Sequence, residues 1–442
     1  MSGPPVLLLE GAMVLALDAV DTAGPLSVAV ADGRIAALGE PLNLRRRFPA
    51  AQRIDCAERL LLPGLVNAHL HPEMHVLKGI VEDMGLHAWA AAFPFNRALA
   101  LLGSGEGRWI QRAGIRAALA EALLTGTTRV GTYGVTVGGD VVAAEELAAI
   151  GLPGHVTIRD VAFLPARGPG GVPHVPASEL NPPRMYRLHA EEALTQSELR
   201  AAAEAHARGE RLVMHAAETQ HRIALASTNF GMSTIRLLES YDLLSERMLL
   251  SHAVHVDEEE RALLVDRRVP IISSPSAEMK LSDGIAPIHD YLARGITVAL
   301  GTDSAICNNS GDLLLECRQL GLSQKLACGP QALRAGQILR CATAGGAAAL
   351  GEASERGAIS TGLAADLILI DTRNTRLQPL IHSAEFSNLA ANVVYSATGQ
   401  DVTDVMIAGR WVVRGRKLLT ADHEEIVAEL GRAASRLHER IA

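Results

Sequence analysis

The sequence predicts an α/β protein in which a (β/α)8 TIM barrel carries a small β-sandwich domain formed by both termini. Between residues 60 and 303, short apolar runs alternate with longer amphipathic runs, as in repeated strand–helix units. The two ends instead show short strand patterns joined by tight turns. With 442 residues, the chain is long enough for a barrel and an accessory domain. We expect residues 1–59 and 361–442 to form the β-sandwich, with a terminal helix, and residues 60–360 to form the barrel.

Eight short apolar runs are candidates for the barrel strands. Many are rich in Val, Ile and Leu and bounded by glycine, which is typical of parallel strands buried on both faces. The runs are Leu60–Val66, Thr128–Thr132, Gly154–Ile158, Met185–His189, Arg211–His215, Met248–His252, Val269–Ser273 and Thr297–Gly301. Helical patterns lie between several of them, for example at Ile110–Leu124, Ser197–Ala207 and Thr234–Tyr241. Eight such units in succession favour a closed barrel.

The turns at the two ends of the chain support the second domain. Ala31-Asp32-Gly33 and Ala408-Gly409-Arg410 each separate two strand-like stretches and contain residues that β-hairpin turns use. We therefore expect the two ends to pair with each other, followed by an amphipathic helix over residues 421–440. The stretch Leu164–Pro183 is rich in Pro and Gly and is expected to be a loop that can cover a site at the barrel mouth.

The composition argues against nucleic acids and membranes as partners. The chain has 41 basic and 49 acidic residues, a net charge of −8, 3% aromatic residues and no basic run longer than Arg45–Arg47. No apolar run approaches the roughly 18 residues of a membrane span, and the N-terminus lacks the basic region of a signal peptide. Five cysteines without a CxxC motif favour a reducing compartment. We therefore expect a cytoplasmic protein that acts on a small molecule.

The pair His69-Leu70-His71 follows the first predicted strand. Because side chains alternate along a strand, residues 69 and 71 point to the same side and can share one metal ion. The apolar run before them places the pair at the carboxyl end of its strand, where the active sites of such barrels lie. The pair alone is weak evidence, because two unrelated surface histidines would give the same pattern.

Three more strands end on a residue that can bind a metal or move a proton. His215 ends the fifth run, His252 ends the sixth, and Asp303 follows the eighth. Their convergence on one rim predicts a metal centre. Imidazoles and a carboxylate suit Zn²⁺, and also Fe²⁺ or Mn²⁺. Because the protein offers no more than four ligands, one coordination position stays open for water. Glu218, three residues after His215, is suited to carry a proton from that water to a leaving group.

Longer motifs around these residues resemble the amidohydrolase superfamily, specifically its cytosine deaminase-like and triazine hydrolase (ATZ/TRZ) branch. The resemblance spans nearly the whole chain. The motifs that carry it are Pro63–His71, His215–Thr219, Ser251–His255, Met279–Pro287, Gly301–Ser304 followed by Asn308-Asn309, and the return strand Gly362–Leu367. The resemblance implies one divalent metal per chain, zinc in preference to iron or manganese, held by His69, His71, His215 and Asp303.

The resemblance also implies a role for each reacting group. Glu218 would act as the proton shuttle, His252 would polarise the bond under attack, and Asp303 would help to deprotonate the water. Members of this branch usually hydrolyse a C–N bond on an aromatic nitrogen heterocycle and release ammonia. The expected activity is therefore hydrolytic deamination of a purine, pyrimidine, pterin or related ring, in which metal-bound hydroxide attacks the ring carbon that carries the amino group. The family also favours a homodimer.

The residues around the metal depart from this pattern. Ser274–Glu278 replaces the usual Asn-Pro-x-Ser-Asn, Glu73 stands where a small apolar residue is common, and Lys78 stands where arginine is common. The loop Gly168–Pro183 also differs from that of the usual members. We therefore expect an unusual substrate. Glu73 is a candidate for contacting a basic or amino-bearing group of it, with a solvated loop carboxylate as the alternative.

Two further residues are expected to contact substrate. Trp89 matches a tryptophan of the first loop that can lie over the substrate in the family. His189 matches a histidine at the end of the fourth strand that can contact it. Both assignments rest on the resemblance alone.

Three alternatives remain open from the sequence. A hydrolase of the same family could release an alkylamine or chloride, or could open a cyclic amide. Ring-opening members often use two metals bridged by a carboxylated lysine on the fourth strand, but Met185–His189 contains no lysine, which favours one metal. The third alternative is a catalytically inactive scaffold, against which the intact ligand set and Glu218 argue.

Overall fold

The structure is a computed structural model that describes residues 6–136, 138–158, 184–383 and 385–441. The predicted loop Leu164–Pro183 lies outside the described residues. Among the described residues, none of the helices combines the length and the apolar character needed to cross a lipid bilayer.

The N-terminal segment forms seven short strands and one helix. Asp32 and Gly33 both adopt positive φ angles, 49° and 77°, as the tight hairpin turn between two of these strands requires. The elements are β1 (Leu7–Glu10), β2 (Met13–Leu15), β3 (Ala23–Gly24), β4 (Ser27–Ala31), β5 (Arg34–Gly39), α1 (Pro41–Arg47), β6 (Gln52–Asp55) and β7 (Arg59–Pro63).

Nine strand segments in the middle of the chain form the barrel. They are β8 (Leu65–His71), β9 (Thr127–Thr132), β10 (Gly154–Ile158), β11 (Arg184–Arg187), β12 (Leu212–Ala216), β13 (Met248–His252), β14 (Ile271–Ser273), β15 (Val298–Leu300) and β16 (Asp303–Ser304). Successive strands from β8 to β15 pair in parallel, and β16 pairs in parallel with β8. Because β15 and β16 are two halves of one strand interrupted at Gly301-Thr302, the ring closes on eight strands, which confirms the predicted TIM barrel.

Helices connect the strands and pack around the ring. The helices are α2 (Leu86–Ala91), α3 (Phe93–Leu102), α4 (Arg108–Leu124), α5 (Gly139–Ile150), α6 (Gln196–Ala207), α7 (Gln220–Phe230), α8 (Thr234–Ser240), α9 (Glu258–Asp266), α10 (Pro275–Lys280), α11 (Ile288–Ala293), α12 (Leu313–Cys328), α13 (Ala335–Arg340) and α14 (Gly346–Ala349). The three helices predicted from the sequence correspond to α4, α6 and α8. Polar caps start several of them: Asp257 and Glu260 form a reciprocal capping box at α9.

Both ends of the chain meet in two further sheets, as predicted. The C-terminal elements are β17 (Leu367–Asp371), α15 (Leu389–Tyr395), β18 (Val402–Ile407), β19 (Arg410–Arg414), β20 (Lys417–Leu418) and the predicted terminal helix α16 (His423–Ile441). A seven-stranded sheet has the order β20-β19-β18-β17-β7-β2-β3, and a four-stranded sheet has the order β5-β4-β1-β6. Leu9, Val28, Leu367 and Met406 share one buried cluster, so the core of this region draws on both termini. The domain limits at residues 59/60 and 360/361 stay predictions.

The first barrel strand begins later than predicted. The predicted run Leu60–Val66 is divided at Gly64: Arg59–Pro63 pairs with β17 in the terminal sheet, and only Leu65 onwards pairs with β9. The amide of Gly64 still donates to Asp366 O at 2.8 Å, whereas that of Leu65 donates to Gly126 O at 3.0 Å. A side chain at position 64 would collide with Thr128, since a Cβ there would lie 2.1 Å from its Oγ1. The uninterrupted apolar run conceals this change of partner.

A cluster of charges around Glu352 ties two barrel strands to the segment after α14. Glu352 Oε1 lies 2.9 Å from His155 Nε2, and the carboxylate also pairs with Arg129 and Arg356. Burial raises the pKa of Glu352, but the hydrogen bond with His155 and the charges of the two arginines outweigh it and lower the pKa to about 2. Glu352 is therefore ionised in the folded protein throughout the neutral range.

Glu352→Gln is expected to lower the free energy of unfolding at pH 7 by about 3 kcal/mol, which follows from the lowered pKa. A pKa lowered on folding stabilises the protein above the unfolded-state pKa and ceases to do so as the pH falls through the folded-state value. The difference in free energy of unfolding between wild type and variant should thus be fully present above about pH 4.5 and should vanish near about pH 2. Urea unfolding of both proteins across the acidic range measures it. Glu355→Gln, which alters an exposed pair with Arg34, is the control; equal midpoints at pH 7 for Glu352→Gln and wild type would contradict the expectation.

Candidate functional site

The histidine pair of β8 faces the barrel interior because the strand contains a register shift. Val66 and Ala68 lie in the cluster that fills the barrel, so simple alternation would place Leu70 there and turn His69 and His71 outward. Between Asn67 and Leu70, however, β8 gains one residue relative to β9: Asn67 pairs with Val130 and Leu70 with Thr132. Leu70 then packs in the outer cluster. The extra residue is a β-bulge, which re-aims the two imidazoles into the site.

Side chains from β8, β12 and β16 meet at this end of the barrel. His71 Nε2 lies 3.2 Å from Asp303 Oδ1, and His69 Nε2 lies 3.5 Å from the same oxygen. His215 Nε2 lies 3.0 Å from His69 Nε2. His69, His71 and Asp303 are at most 5% exposed. The structure thus brings together the four residues for which the sequence predicts a shared metal.

The protonation states of these groups suit a cation. Burial lowers the pKa of His69 to about 4 and holds the pKa of His215 well below its usual range, so both rings are neutral at pH 7 and retain a lone pair. Burial raises the pKa of Asp303, but the hydrogen bonds with His69 and His71 outweigh it and hold it well below its usual range. A buried carboxylate facing neutral imidazoles is the donor chemistry of a divalent metal site.

Two overlapping groups can hold an ion. One consists of His69, His71 and Asp303, and the other of His69, His215 and His252; in each, the potential ligand atoms lie within 4.8 Å of one another. His71 Nδ1 and both ring nitrogens of His252 are buried without a hydrogen-bond partner. Unpartnered buried nitrogens are costly; binding of an ion by His71 and of a substrate oxygen by His252 relieves this cost. The residues present therefore fit a divalent metal.

His252 stands among three carboxylates. Its Nε2 lies 3.7 Å from Glu218 Oε1 and 3.8 Å from Asp303 Oδ2, and its Nδ1 lies 3.6 Å from Glu278 Oε1. Burial lowers the pKa of His252, but these carboxylates outweigh it and raise the pKa to about 9. The ring can therefore act as a cationic hydrogen-bond donor toward a substrate.

Glu278 belongs to the stretch 274–278 that departs from the family pattern, and sequence reasoning gave it no role. Its carboxylate accepts hydrogen bonds from the Ser274 amide at 2.8 Å and from Ser273 Oγ at 3.2 Å, and it is 3% exposed. These contacts hold it behind His252. The sequence signal for Glu278 was its position five residues after the end of the seventh strand.

Glu218 follows β12 and is 2% exposed. It forms an ion pair with Arg222, one turn further on in α7, and Arg222 also donates from Nε to Glu192 Oε1 at 2.8 Å. The charge of Glu218 is thus compensated inside the protein. Arg222 is a second residue of the site that sequence reasoning missed, and its spacing of four residues from Glu218 was the signal for it.

The backbone holds two of these residues in an unusual conformation. His252 has φ 73° and Asp303 has φ 59°, in the left-handed region that few residues other than glycine adopt. Close contact between the first and eighth strands supports Asp303: Asn67 Nδ2 donates to Thr302 Oγ1 at 2.7 Å, and the Thr302 amide donates to Asn67 Oδ1 at 3.1 Å. Gly301 allows this approach, because a Cβ there would lie 2.5 Å from His69 Cβ.

A cavity of about 250 Å³ lies at the site. Its polar lining includes His71, His215, Glu218 and Asp303, while His252 is not among the lining residues. Its apolar lining includes Met74, Leu86, Trp89, Phe95 and Leu281. The rings of Trp89 and Phe95 meet edge to face with centroids 4.6 Å apart. Such a slot suits a flat ring with a polar edge.

The three predicted substrate contacts have different positions. Trp89 and His189 line the cavity, and Glu73 is not among its lining residues. Glu73 is 1% exposed, and its Oε1 accepts the Val135 amide at 2.6 Å and the Thr136 amide at 3.3 Å. Its carboxylate therefore fixes the loop after β9, and neither a substrate contact nor a solvated carboxylate describes it. The backbone amides of Val135 and Thr136 need a hydrogen-bond acceptor, and the Glu73 carboxylate supplies it.

The sequence and fold of the chain are similar to those of known deaminases. A 5-methylthioadenosine/S-adenosylhomocysteine deaminase of Syntrophobacter fumaroxidans is 32% identical, covering 95% of this chain and 96% of its own length. A 5'-deoxyadenosine deaminase of Methanosarcina mazei is 27% identical, covering 98% and 99%.

Solved structures extend the similarity. An adenosine deaminase of Xanthomonas campestris with bound zinc superposes with a TM-score of 0.87 at 26% identity, over 99% of this chain and 100% of that one. A zinc complex of the atrazine chlorohydrolase of Arthrobacter aurescens, at 24% identity, shares the fold with a TM-score of 0.83 over 97% and 100%. The sequence profile of the Amidohydrolase family matches residues 60–412. The chain therefore belongs to the Amidohydrolase family.

Proposed function

We propose that the protein is a metal-dependent hydrolytic deaminase of an amino-substituted nitrogen heterocycle, with an aminopurine as the first candidate. The observation that carries the proposal is that Glu218 and Asp303 line one cavity, with His252 within 4 Å of both, beside a buried metal-binding set. The similarity to enzymes named as deaminases of adenosine derivatives supports the choice of reaction and ring.

We assign the metal to His69, His71, His215 and Asp303, with zinc as the first candidate and Fe²⁺ or Mn²⁺ as alternatives. The bound zinc of the Xanthomonas campestris adenosine deaminase supports zinc. When bound, such an ion would lower the pKa of a water toward about 7 and so supply hydroxide at neutral pH.

Three side chains would carry out the proton transfers and stabilise the developing carbonyl. Asp303 Oδ2 and Glu218 Oε1 both lie within 4 Å of His252 Nε2, so the three groups form one cluster, of which Asp303 and Glu218 line the cavity. Asp303 would accept a proton from the attacking water, and Glu218 would carry a proton to the leaving nitrogen, which departs as ammonia while a carbonyl replaces it. His252 would donate a hydrogen bond to the oxygen that becomes this carbonyl.

The cavity can accept a flat heterocycle. Its volume of about 250 Å³ is close to the lower end of the 300–1,000 Å³ usual for ligand pockets. Trp89 and Phe95 would cover one face of the ring. We also propose that the enzyme works in the cytoplasm as a homodimer; the five free cysteines are consistent with a reducing compartment.

An ammonia-release screen tests the proposed function. The zinc-replete protein is incubated with aminopurines, aminopyrimidines and aminopterins, and ammonia is measured by a coupled assay. We expect release from at least one ring class, abolished by a chelator and restored by zinc. Release of an alkylamine or chloride from alkylamino- or chloro-substituted rings tested in parallel, without ammonia from any amino ring, would overturn deamination in favour of another hydrolysis. A metal content far below one ion per chain after zinc loading would favour the scaffold.

A further inference from the structure

Arg187 is a buried cation in the wall of the cavity to which neither the family resemblance nor the proposed mechanism gives a role. It ends β11, is 7% exposed and lines the same cavity as Glu218 and Asp303. Its guanidinium lies 5.6 Å from the centroid of the Tyr133 ring, and that ring stacks on His215 with centroids 4.3 Å apart. Arg187 is thus separated from the metal-binding set by one aromatic ring.

Among the described residues, the contacts of Arg187 include no carboxylate. Nη1 donates to the carbonyl of Gly134 at 3.0 Å, Nη2 lies 3.5 Å from His189 Nε2, and the buried Nε has no hydrogen-bond partner. Within the described ranges, with their gap at 159–183, no carboxylate forms an ion pair with it. Arg222, the other arginine of the cavity, faces Glu191, Glu192 and Glu218. A buried charge without a partner is costly unless a ligand compensates it.

His189 lies beside Arg187 and is held in one orientation. Glu198 Oε1 accepts the His189 amide at 2.7 Å and lies 3.0 Å from His189 Nδ1. A proton on Nδ1 leaves Nε2 as the ring nitrogen on the Arg187 side. Arg187 and His189 therefore present a polar edge to the cavity. Arg187 offers N–H donors, and His189 offers its Nε2 beside them.

We propose that Arg187 selects amino-heterocycles that carry an anionic or carbonyl oxygen, such as a ring oxo group or a carboxylate, over those without one. This inference rests on the proposed function and names its substrate class. The planar fork of a guanidinium matches such oxygens, and a water-excluded site strengthens the hydrogen bonds. A substrate lacking the oxygen would leave Arg187 buried without a partner, and that loss provides the discrimination.

Matched pairs of probes test the inference. Isoguanine is compared with adenine and cytosine with 4-aminopyrimidine for the oxo group, and 4-aminopyrimidine-5-carboxylate with 4-aminopyrimidine for the carboxylate. For at least one type of oxygen, the wild type is expected to favour the oxygen-bearing member by about 100-fold in kcat/KM. The pair with the larger ratio distinguishes the two sources of the oxygen.

Variants connect the preference to this side chain. In Arg187→Gln the ratio should fall to within a few-fold of one, chiefly through the oxygen-bearing member, while Arg187→Lys should keep part of it. Arg294→Gln removes an arginine outside the cavity and should leave the ratio unchanged. A ratio near one for all pairs in the wild type, or an unchanged ratio in Arg187→Gln, overturns the inference.

A binding measurement separates this inference from the proposed function. Dissociation constants of the same pairs are measured by calorimetry on the wild type and on Arg187→Lys, with zinc present. If no probe releases ammonia, the proposed deamination fails, and the inference is then decided by binding alone. Tighter binding of the oxygen-bearing members, weakened in the lysine variant, supports it; equal binding within every pair refutes it.

Discussion

Replacing Glu218 with glutamine is expected to lower kcat by about 100-fold or more while the chain still binds one metal ion. The amide keeps the size of the side chain but cannot accept and release a proton. Arg222 retains Glu192 at 2.8 Å and Glu191 at 3.8 Å, so the fold tolerates the loss of the charge at position 218. The expected defect is therefore chemical.

Three measurements check this expectation. Ammonia release gives kcat, elemental analysis gives the metal content, and thermal unfolding shows whether the variant is folded. Glu259→Gln changes a carboxylate that is 85% exposed at its side chain and should behave as wild type. Near-normal turnover in Glu218→Gln would remove Glu218 from the proposed mechanism.

His215→Ala is expected to reduce bound metal from one ion per chain to well below one, and activity with it. The substitution removes one of the proposed nitrogen ligands, the one that lies 3.0 Å from His69 Nε2. A ligand that binds only the folded state raises its stability, by about 2.7 kcal/mol at a concentration 100 times Kd. Zinc should accordingly raise the Tm of the wild type and have little effect on the Tm of His215→Ala.

Two further variants test whether the loss of metal is specific to His215. His438→Ala changes an exposed histidine of α16 and should keep both metal and the zinc-dependent rise in Tm. His252→Ala distinguishes the two overlapping ligand groups: as a residue that polarises substrate, it should keep the metal and lose turnover. Metal loss in His252→Ala with full metal in His215→Ala would reverse the assignment.

The secondary structure and the ring of strands were predictable because their signals are local. Apolar runs of five to seven residues recur with helical patterns between them, and α4 and β13 lie where the pattern predicts them. The residue types of the site were predictable for a related reason. Parallel strands end on one rim, so His215, His252 and Asp303 could be assigned to a common site from their positions alone.

The environment of the site was not predictable in the same way. Glu73 follows His71 closely in the chain, yet its partners are backbone amides of residues 135 and 136. Arg187 contacts Gly134, 53 residues earlier, and whether a carboxylate of the described residues reaches it depends on which side chains enter the cavity. Contacts of this kind depend on how loops from different strands meet, and no short sequence pattern encodes them.

The sequence by itself determined the barrel, the family and the set of groups that can hold a metal and move protons. Only the tertiary structure decided which way these groups face. Alternation along β8 would turn His69 and His71 away from the interior that Val66 and Ala68 fill, and the register shift between Asn67 and Leu70 reverses this. A bulge arises from the pairing of two strands, with Asn67 also bonded to Thr302 across the ring, so it follows from long-range contacts rather than from the local sequence.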